Sequence, residues 1–446
     1  MWLLVLVLVS VAQRVGLWLL YQPVHYGDTP SYRRLSEALM RGLEFYDGTR
    51  TPGYPFFLAI VGPDERVWLV QMLMGLGTTL IFYYCAWQIT GRSWMGGLAG
   101  LSHTLNIGQL FFEANILSET LTTFLIALTL AGITFWLYHP RRRILWLAFG
   151  LGLSASLALL VRPLFIYLPF WILLFLIPDR HQREGTFRLN LPAAGVFILP
   201  VIFLLGGWVN HIHNQFGDWS LTTMTGYHMV QHTGIFFEYV PDEHASLRDT
   251  YLKYRDQQIA DRGNQANAIW DAIPEMQQVS GYNFYDLSRV LAKISVELIK
   301  EHPELYLRTV VKGWWYFWRV PVYWSGSAWA LNDLVPVIQF LVLITRLVLI
   351  AVNLIFLVSS LVLFLSRQLR ESYQVPAALW YLAGSVWIAS VVQTLVDHGD
   401  NPRFLVPMQS LVTLWVLWLG FRSIQVASRY PVRSIDGENL DHHPSF

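Results

Sequence analysis

The chain is poor in charge and almost without cysteine: of its 446 residues, 14% are charged, and Cys85 is the one thiol. A single cysteine excludes an internal disulfide. The formal net charge is +1, so the sequence lacks the basic excess that binds nucleic acid, and no nucleic-acid partner is expected. It also lacks a glycine-rich phosphate loop, a dinucleotide fingerprint and a serine-nucleophile elbow, so nothing indicates an activated sugar or phosphate held by those soluble motifs.

Apolar residues are abundant instead, at 54% of the chain, and they fall in long runs. A helix needs about 20 mostly apolar residues to cross a bilayer. This length predicts an all-α membrane protein with about ten transmembrane helices. The predicted spans are 2–21, 67–90, 94–111, 117–138, 144–161, 164–177, 191–209, 335–365, 375–396 and 404–421. The stretch "LLVRPLFIY" places Arg and Pro in the middle of a run too long for one helix, which predicts a tight turn there.

Arginine-rich connections set the predicted orientation, because basic residues favour the cytoplasmic side. With the N-terminus inside, the short arginine-bearing connections and the tail 422–446 are cytoplasmic. Two long segments, 21–66 and 210–334, then lie outside. We expect juxtamembrane helices in the first and a mostly helical second, within one membrane domain over 1–446. This asymmetry favours an outward-facing enzyme or receptor over a channel.

Three carboxylates lie near predicted outer ends. Asp28 stands in "HYGDTPSYRRL", where Thr29 as N-cap and Pro30 as first helical residue predict the helix start, and Asp28 is either a capping carboxylate or a functional one. Glu113 and Glu119 flank the start of the fourth span. A carboxylate there is costly and therefore a functional hypothesis, although Glu113 could be an exposed turn residue and Glu119 could stabilise a helix N-terminus.

Cationic side chains occur at the same predicted ends. Arg162, His398 and Arg403 would form an anionic headgroup site if the spans bring them together, because such side chains donate to phosphate oxygens. Alternatively, the arginines are membrane-interface anchors. His228 and His232 have a spacing that one helical face could use for a metal, but no acid completes a zincin pattern, so no metal site is predicted.

Several motifs together resemble the GT-C superfamily of polytopic glycosyltransferases, in the branch with protein O-mannosyltransferases and the lipid A aminoarabinose transferase. The motifs, in chain order, are "GDTPSYRRLSEALMRGLEF", "TRTPGYPFFLAI", "NILSETLTTFLIALTLAG", "LLVRPLFIYLP", "WVNHIHNQFGDWSLTTMTGYHM", "KEHPELYLRTVVKGWWYFW" and "DHGDNPRFLVPMQSLVTL". Each is weak alone. Their order and sidedness match that family, and they touch nearly the whole chain.

The resemblance implies transfer of a sugar from a polyprenyl phosphate to a hydroxyl acceptor, which is a glycan, a lipid or a protein. It places Asp28 at the family's catalytic carboxylate and Glu119 at its second acid. Arg162, His398 and Arg403 fall where phosphate contacts are expected. The implied location is the bacterial inner membrane, with the site on its periplasmic or extracellular side. No certain cofactor follows, and a divalent cation stays an open alternative.

Four further residues complete the predicted site. Glu113 is an alternative to Glu119 for positioning the acceptor or the donor sugar. Arg50, Tyr54 and Lys312, which lie within the matching motifs, are predicted to contact the lipid phosphate or the donor.

The sequence also departs from the family pattern. The second acid is Glu rather than the usual Asp, the Asp-Glu pair of protein O-mannosyltransferases is Asp28-Thr29, and the Arg-Asn of the large loop is His213-Asn214. These differences argue against a protein O-mannosyltransferase and leave the acceptor open.

Two other classes of protein compete with this interpretation. An O-antigen ligase or polymerase also has many spans and a large outer loop, but it needs no acid after the first span. A lipid-linked-sugar flippase or transporter would place charges deep in the membrane, and Arg14 and Arg346 are the candidates.

Overall fold

The structure, a computed structural model, describes residues 1–140, 144–180, 187–265, 267–396 and 402–428. Within this part of the chain the fold is almost entirely helical, as predicted. Twenty α-helices occur in the order α1 Trp2–Leu20, α2 Thr29–Arg41, α3 Gly53–Val61, α4 Asp64–Thr90, α5 Ser93–Thr104, α6 Ile107–Ala114, α7 Glu119–Tyr138, α8 Leu145–Val161, α9 Leu168–Leu176, α10 Leu191–Val201, α11 Gly207–Phe216, α12 Thr225–Thr233, α13 Ala245–Arg262, α14 Ala268–Ser280, α15 Phe284–Glu301, α16 Pro303–Phe317, α17 Val335–Leu365, α18 Arg367–Tyr373, α19 Ala377–Val396 and α20 Gln409–Ala427.

The described residues contain one small sheet, which the sequence did not predict. Strands β1 (Pro178–Arg180) and β2 (Phe187–Leu189) pair antiparallel, with Pro178 opposite Leu189. They lie in a connection predicted to be cytoplasmic and contribute nothing to the site described below.

Seven helices of the described chain are long and apolar enough to cross a membrane. They are Trp2–Leu20, Asp64–Thr90, Glu119–Tyr138, Leu191–Phe216, Asn332–Leu365, Ala377–Val396 and Arg403–Ala427. Leu145–Val161 and Pro163–Leu176 are apolar but shorter. The protein is therefore a helical membrane protein with several spans.

The predicted continuous span at 94–111 is wrong. The chain leaves the helical path at Leu105 and Asn106, between α5 and α6. Asn106 is the N-cap of α6, and its side chain accepts a hydrogen bond from the backbone of Gly108 at 3.0 Å. Asparagine favours this capping conformation over a helix interior, so one polar residue divides the apolar run.

The predicted turn near Arg162 is confirmed. α8 ends at Val161, and Arg162 is extended, with φ −142° and ψ 114°, before a 3-10 turn from Pro163 to Tyr167. Proline disfavours the helical conformation in the residue that precedes it, which explains the break. The guanidinium of Arg162 consequently lies at a helix end rather than within a span.

Both long connections lie at the same end of the helical bundle, which we call the loop end. The backbone N–H of Thr223 donates to Gly48 O at 2.9 Å, and Ser325 N donates to the Tyr21 hydroxyl at 2.8 Å. Gly48 has φ +67°, and a Cβ there would meet Ile212 and Thr223 at under 3.0 Å. Only glycine allows the two connections to approach this closely.

The large connection has a hydrophobic core of its own, formed by α12 to α15. Tyr227, Tyr251, Leu287 and Leu291 are fully buried in it. A separate and larger core fills the bundle. The loop end is therefore a folded layer on the membrane part.

The apolar residues at the start of α2 pack against protein. Tyr32 is 7% exposed and Leu35 is fully buried. Leu35 lies in a cluster with Leu159, Trp208 and Ile212. This packing holds the start of α2 in a fixed position at the loop end.

Candidate active site

Asp28 occupies the N-cap position of α2, but its carboxylate makes no cap hydrogen bond. This corrects the prediction that Thr29 is the cap: Thr29 is the first helical residue, and its hydroxyl donates to Ile116 O at 3.0 Å. The Asp28 carboxylate instead accepts from Arg50 Nη2 at 2.6 Å and from Arg403 Nη2. The side chain of Asp28 is 20% exposed, so water and ligands can reach it.

Glu119 is the first residue of α7, and its side chain is completely buried. Its Oε1 accepts from Arg162 Nη2 and lies 3.4 Å from Arg403 Nε. The neighbouring Ser118 hydroxyl accepts from Arg162 Nε at 3.0 Å. Arg403 therefore links the two carboxylates, with one nitrogen on Asp28 and another beside Glu119.

Five charged residues from five distant segments meet here, and we call them the loop-end cluster: Asp28, Arg50, Glu119, Arg162 and Arg403. Three guanidiniums face two carboxylates, which leaves one positive charge in excess. Four of these side chains are largely buried. An excess charge in a low-dielectric site attracts an anion more strongly than the same charge would in water.

The hydrogen-bonding capacity of this cluster is incompletely used. Glu119 Oε2, Arg162 Nη1 and Arg403 Nε are buried and have no hydrogen-bond partner among the residues that the structure describes. Buried polar atoms almost always have partners, so three such atoms in one place indicate room for a ligand. Two of them are donors, which suits an anionic group with several oxygens.

A short buried segment between α6 and α7 holds the cluster in place. Val24 N donates to Ala114 O, and Ile116 N donates to Val24 O, so the chain before Asp28 pairs with this segment. Asn115 Nδ2 also donates to Tyr323 O at 3.0 Å. These bonds fix the start of α2, the start of α7 and the end of the large connection relative to one another.

Tyr54 does not touch the charges but supports a residue that does. It is fully buried, and its ring meets the Tyr32 ring edge-on at 4.9 Å. The Arg50 guanidinium lies over the Tyr32 ring, 4.9 Å from its centre. Burial raises the pKa of Tyr54 well above its usual value, so its hydroxyl stays protonated and donates to Gln71 at 3.2 Å.

Sequence reasoning missed Gln71, which is fully buried in α4. Its amide donates to Glu113 O and to Asn115 O, both at 2.9 Å. Gln71 thus fixes the segment that leads to Glu119. The sequence did indicate Gln71, since it is a polar residue within an apolar run of membrane-spanning length, and such residues are seldom accidental.

Glu113 is not part of the cluster, contrary to its prediction as an alternative acid. α6 ends at Ala114 and the chain is non-helical before α7, so Glu113 and Glu119 face different surroundings. The carboxylate of Glu113 pairs with Arg14 at 2.5 and 2.9 Å. Both residues are buried within the bundle, so this is an internal ion pair.

Another predicted contact, Lys312, also lies outside the cluster. Lys312 is exposed on α16, with its ammonium 5.7 Å from the Tyr316 ring centre, and it makes no contact with the five charged residues. α16 packs on α19 and turns Lys312 away from the bundle. His398 falls outside the described residues.

Within the described ranges, no three histidine, cysteine or acidic residues gather at metal-binding distance. The carboxylates of Asp28 and Glu119 are each engaged by arginine, and the surrounding charge is positive. These residues do not fit a divalent cation, and no step below uses one.

The fold and this cluster define a class: a multi-pass helical membrane protein with a partly open, cationic site at its loop end. No protein-family model, curated protein or solved structure matches the chain.

Proposed function

We propose that the protein is a glycosyltransferase that moves a sugar from a polyprenyl-phosphate donor to a hydroxyl acceptor. The observation that supports this best is the loop-end cluster. It combines a partly exposed carboxylate, three arginines and unused buried donors at one end of a membrane bundle. Arginine donors suit the phosphate of a lipid donor, and a carboxylate suits an acceptor hydroxyl that must lose its proton.

The phosphate of the donor binds to the arginines in this proposal. Arg162 Nη1 and Arg403 Nε make no hydrogen bond to a described residue, and Arg50 is near enough to the surface to reorient, with 28% of its side chain exposed. As the bond between sugar and phosphate breaks, negative charge grows on the leaving polyprenyl phosphate. Fixed donors in a dry site stabilise such charge, often by the largest single contribution to catalysis.

Asp28 is the general base. The acceptor oxygen forms a bond to the anomeric carbon, its proton passes to the Asp28 carboxylate, and polyprenyl phosphate departs with the bonding electrons. In the free protein, Arg50 and Arg403 donate to Asp28. A bound phosphate competes for those guanidiniums and so releases the Asp28 carboxylate to accept the proton of the acceptor hydroxyl.

Glu119 positions the arginines. Its Oε1 accepts from Arg162 and lies beside Arg403, and its side chain is completely buried. A fixed carboxylate between two guanidiniums holds their N–H donors in one orientation before the donor lipid binds.

The proposal includes the finer topology expected from the sequence. There are about ten spans, with Leu145–Val161, Pro163–Leu176 and the broken α5–α6 pair completing the seven long helices. Both chain ends are cytoplasmic, and the loop end faces the periplasm or the cell exterior of a bacterial inner membrane. The acceptor is a glycan, a lipid or a protein.

Purified protein in nanodiscs, supplied with a panel of radiolabelled polyprenyl-phosphate sugars, tests the proposal. Wild type should release or transfer one of these sugars. Asp28→Asn should lose about 10²–10⁴-fold in rate, because the amide cannot accept the proton. Asp47→Asn is the control, since Asp47 pairs with Arg34 at 2.5 Å outside the cluster and should keep the wild-type rate.

Turnover that survives unchanged in Asp28→Asn would refute the role of the base. Absence of turnover with every donor, together with scrambling of lipid-linked sugars between leaflets of vesicles, would show a transporter instead.

A further inference from the structure

Helix α16, the last helix of the large connection, descends beside the membrane helix α19. The Tyr306 hydroxyl donates to Leu395 O at 2.6 Å, near the loop end of α19. The Trp314 indole donates to Ser390 at 3.1 Å, and the Trp318 ring lies 6.2 Å from that of Trp387. Successive residues of α16 thus meet earlier residues of α19, so the two helices run antiparallel.

The depth of this descent follows from the helical rise. Eight residues separate Leu395 from Trp387, which is about 12 Å along α19 at 1.5 Å per residue. α19 has 20 residues and spans about 30 Å, the thickness of the hydrocarbon core. The end of α16 therefore lies beside the middle of α19, about 12 Å from its loop end.

One face of α16 carries cations to this depth. Arg308, Lys312 and Trp315 follow a spacing of four and three residues, which places them on one side of the helix, and Arg319 lies two residues beyond its C-terminal end. All four are exposed, and Trp315 is 60% exposed. We call these residues the cationic face of α16.

The cations of this face lack acidic partners within the described chain. No ion pair involves Arg308, Lys312 or Arg319. Arg319 lies 3.9 Å and Lys312 lies 5.7 Å from the centre of the Tyr316 ring, so both positive charges approach one aromatic side chain. Exposed cations at membrane depth are costly unless an anion or water meets them.

The end of α16 leads to the loop-end cluster. α16 packs against the 3-10 segment Pro402–Met408, which carries Arg403. The following chain places Tyr323 against Phe112 at 5.5 Å and its carbonyl on Asn115. The helix that carries the cationic face therefore contacts the segment that holds Arg403.

We propose that the cationic face of α16 binds the phosphate of the polyprenyl donor lipid before it reaches the loop-end cluster. Lys312 and Arg319 take the phosphate oxygens, and the isoprenoid chain lies in the bilayer along Val311 and Trp315, which are 52% and 60% exposed. This site rests on the proposed function for the identity of the lipid. It also gives Lys312 a role that is separate from the reacting groups.

Equilibrium binding to the full chain in phosphatidylcholine nanodiscs tests the site. The probe is a short-chain fluorescent isoprenyl phosphate, and the background is Asp28→Asn, so that turnover plays no part. Lys312→Gln combined with Arg319→Gln should raise the Kd about tenfold or more, because two charge-assisted hydrogen bonds are lost. Lys312→Arg with Arg319→Lys should restore binding. Lys293→Gln, an exposed lysine on α15, should leave the Kd unchanged.

Competition with three unlabelled compounds shows which kind of phosphate the site binds. Unlabelled isoprenyl phosphate should displace the probe, whereas inorganic phosphate and phosphatidylglycerol should not. An unchanged Kd in the double glutamine variant, or an equal loss in Lys293→Gln, would overturn the proposal. Equal displacement by phosphatidylglycerol would overturn the assignment to the donor lipid. Failure of the proposed function would appear separately, as absence of turnover in wild type.

Discussion

Two buried groups of arginines and carboxylates differ in how completely they satisfy one another. In the pair formed by Arg14 and Glu113, both carboxylate oxygens accept from Arg14, and the remaining guanidinium nitrogen reaches Ser10 and Thr104. The loop-end cluster has an excess arginine and three buried atoms that have no hydrogen-bond partner in the described part of the chain. A closed network contributes to the fold, whereas an open one leaves capacity for a ligand.

The comparison predicts that breaking the closed pair costs the most stability. Arg14→Met leaves the Glu113 carboxylate buried without a partner, which should lower the free energy of unfolding by about 3–5 kcal/mol. Titration of the detergent-solubilised protein with a denaturing detergent measures this. Adding Glu113→Leu should recover most of the loss, because no charge is then buried. A double variant as unstable as the single one would contradict the closed-pair interpretation.

A substitution at Gly75, beside the pair of Arg14 and Glu113, should give the next largest loss of stability. A Cβ on Gly75 would stand 1.8 Å from Glu113 Oε1 and 2.7 Å from Arg14 Nη2. Gly75→Ala should therefore destabilise the protein by about 1–3 kcal/mol through overpacking. Gly150→Ala is the matched control, since nothing lies within 4 Å of a Cβ there. Equal stability of the two alanine variants would show that the ion pair adapts freely.

A substitution in the loop-end cluster should change activity rather than the free energy of unfolding. Arg50→Gln removes a partly exposed donor to Asp28, so the free energy of unfolding should change by less than about 1 kcal/mol. The KM for the lipid donor should rise about tenfold, since one phosphate contact is lost. Steady-state kinetics separate KM from kcat. A fall in kcat with an unchanged KM would argue that Arg50 acts on the transition state and not on donor binding.

Breaking the exposed pair of Lys253 and Glu275 should have the smallest effect on stability. Hydrogen bonds from Lys253 and Tyr254 lower the pKa of Glu275 below its usual value. The stabilisation is therefore present above the pKa of the unfolded chain and is lost as the pH falls through the lower folded value. Thermal unfolding of wild type and Glu275→Gln should differ slightly at neutral pH and converge in acid. A difference that grows on acidification would reverse this sign.

Much of the loop end could be predicted from the sequence because the signals are local. Charged residues beside apolar runs identified Asp28, Glu119, Arg162 and Arg403, and the structure brings these four together. Their proposed roles stay predictions. The Arg–Pro step also gave the helix break correctly, since proline acts on the preceding residue.

The failures concern contacts between distant segments. Glu113 resembles Glu119 in sequence, but it pairs with Arg14, 99 residues away, and no local pattern carries that information. Lys312 lies within a matching motif, and the packing of α16 on α19 places it outside the cluster, so its contact with the donor stays a prediction. The N-cap was misplaced by one residue because two tertiary arginines, rather than the helix end, hold the Asp28 side chain.

The most direct test compares one carboxylate from each group in a single assay. Transfer from the labelled polyprenyl-phosphate donor is measured per folded molecule for wild type, Asp28→Asn and Glu113→Gln. The open-cluster interpretation predicts that Asp28→Asn folds normally and loses transfer, whereas Glu113→Gln is less stable and retains it. Wild-type transfer by Asp28→Asn, or loss of transfer by well-folded Glu113→Gln, would contradict it.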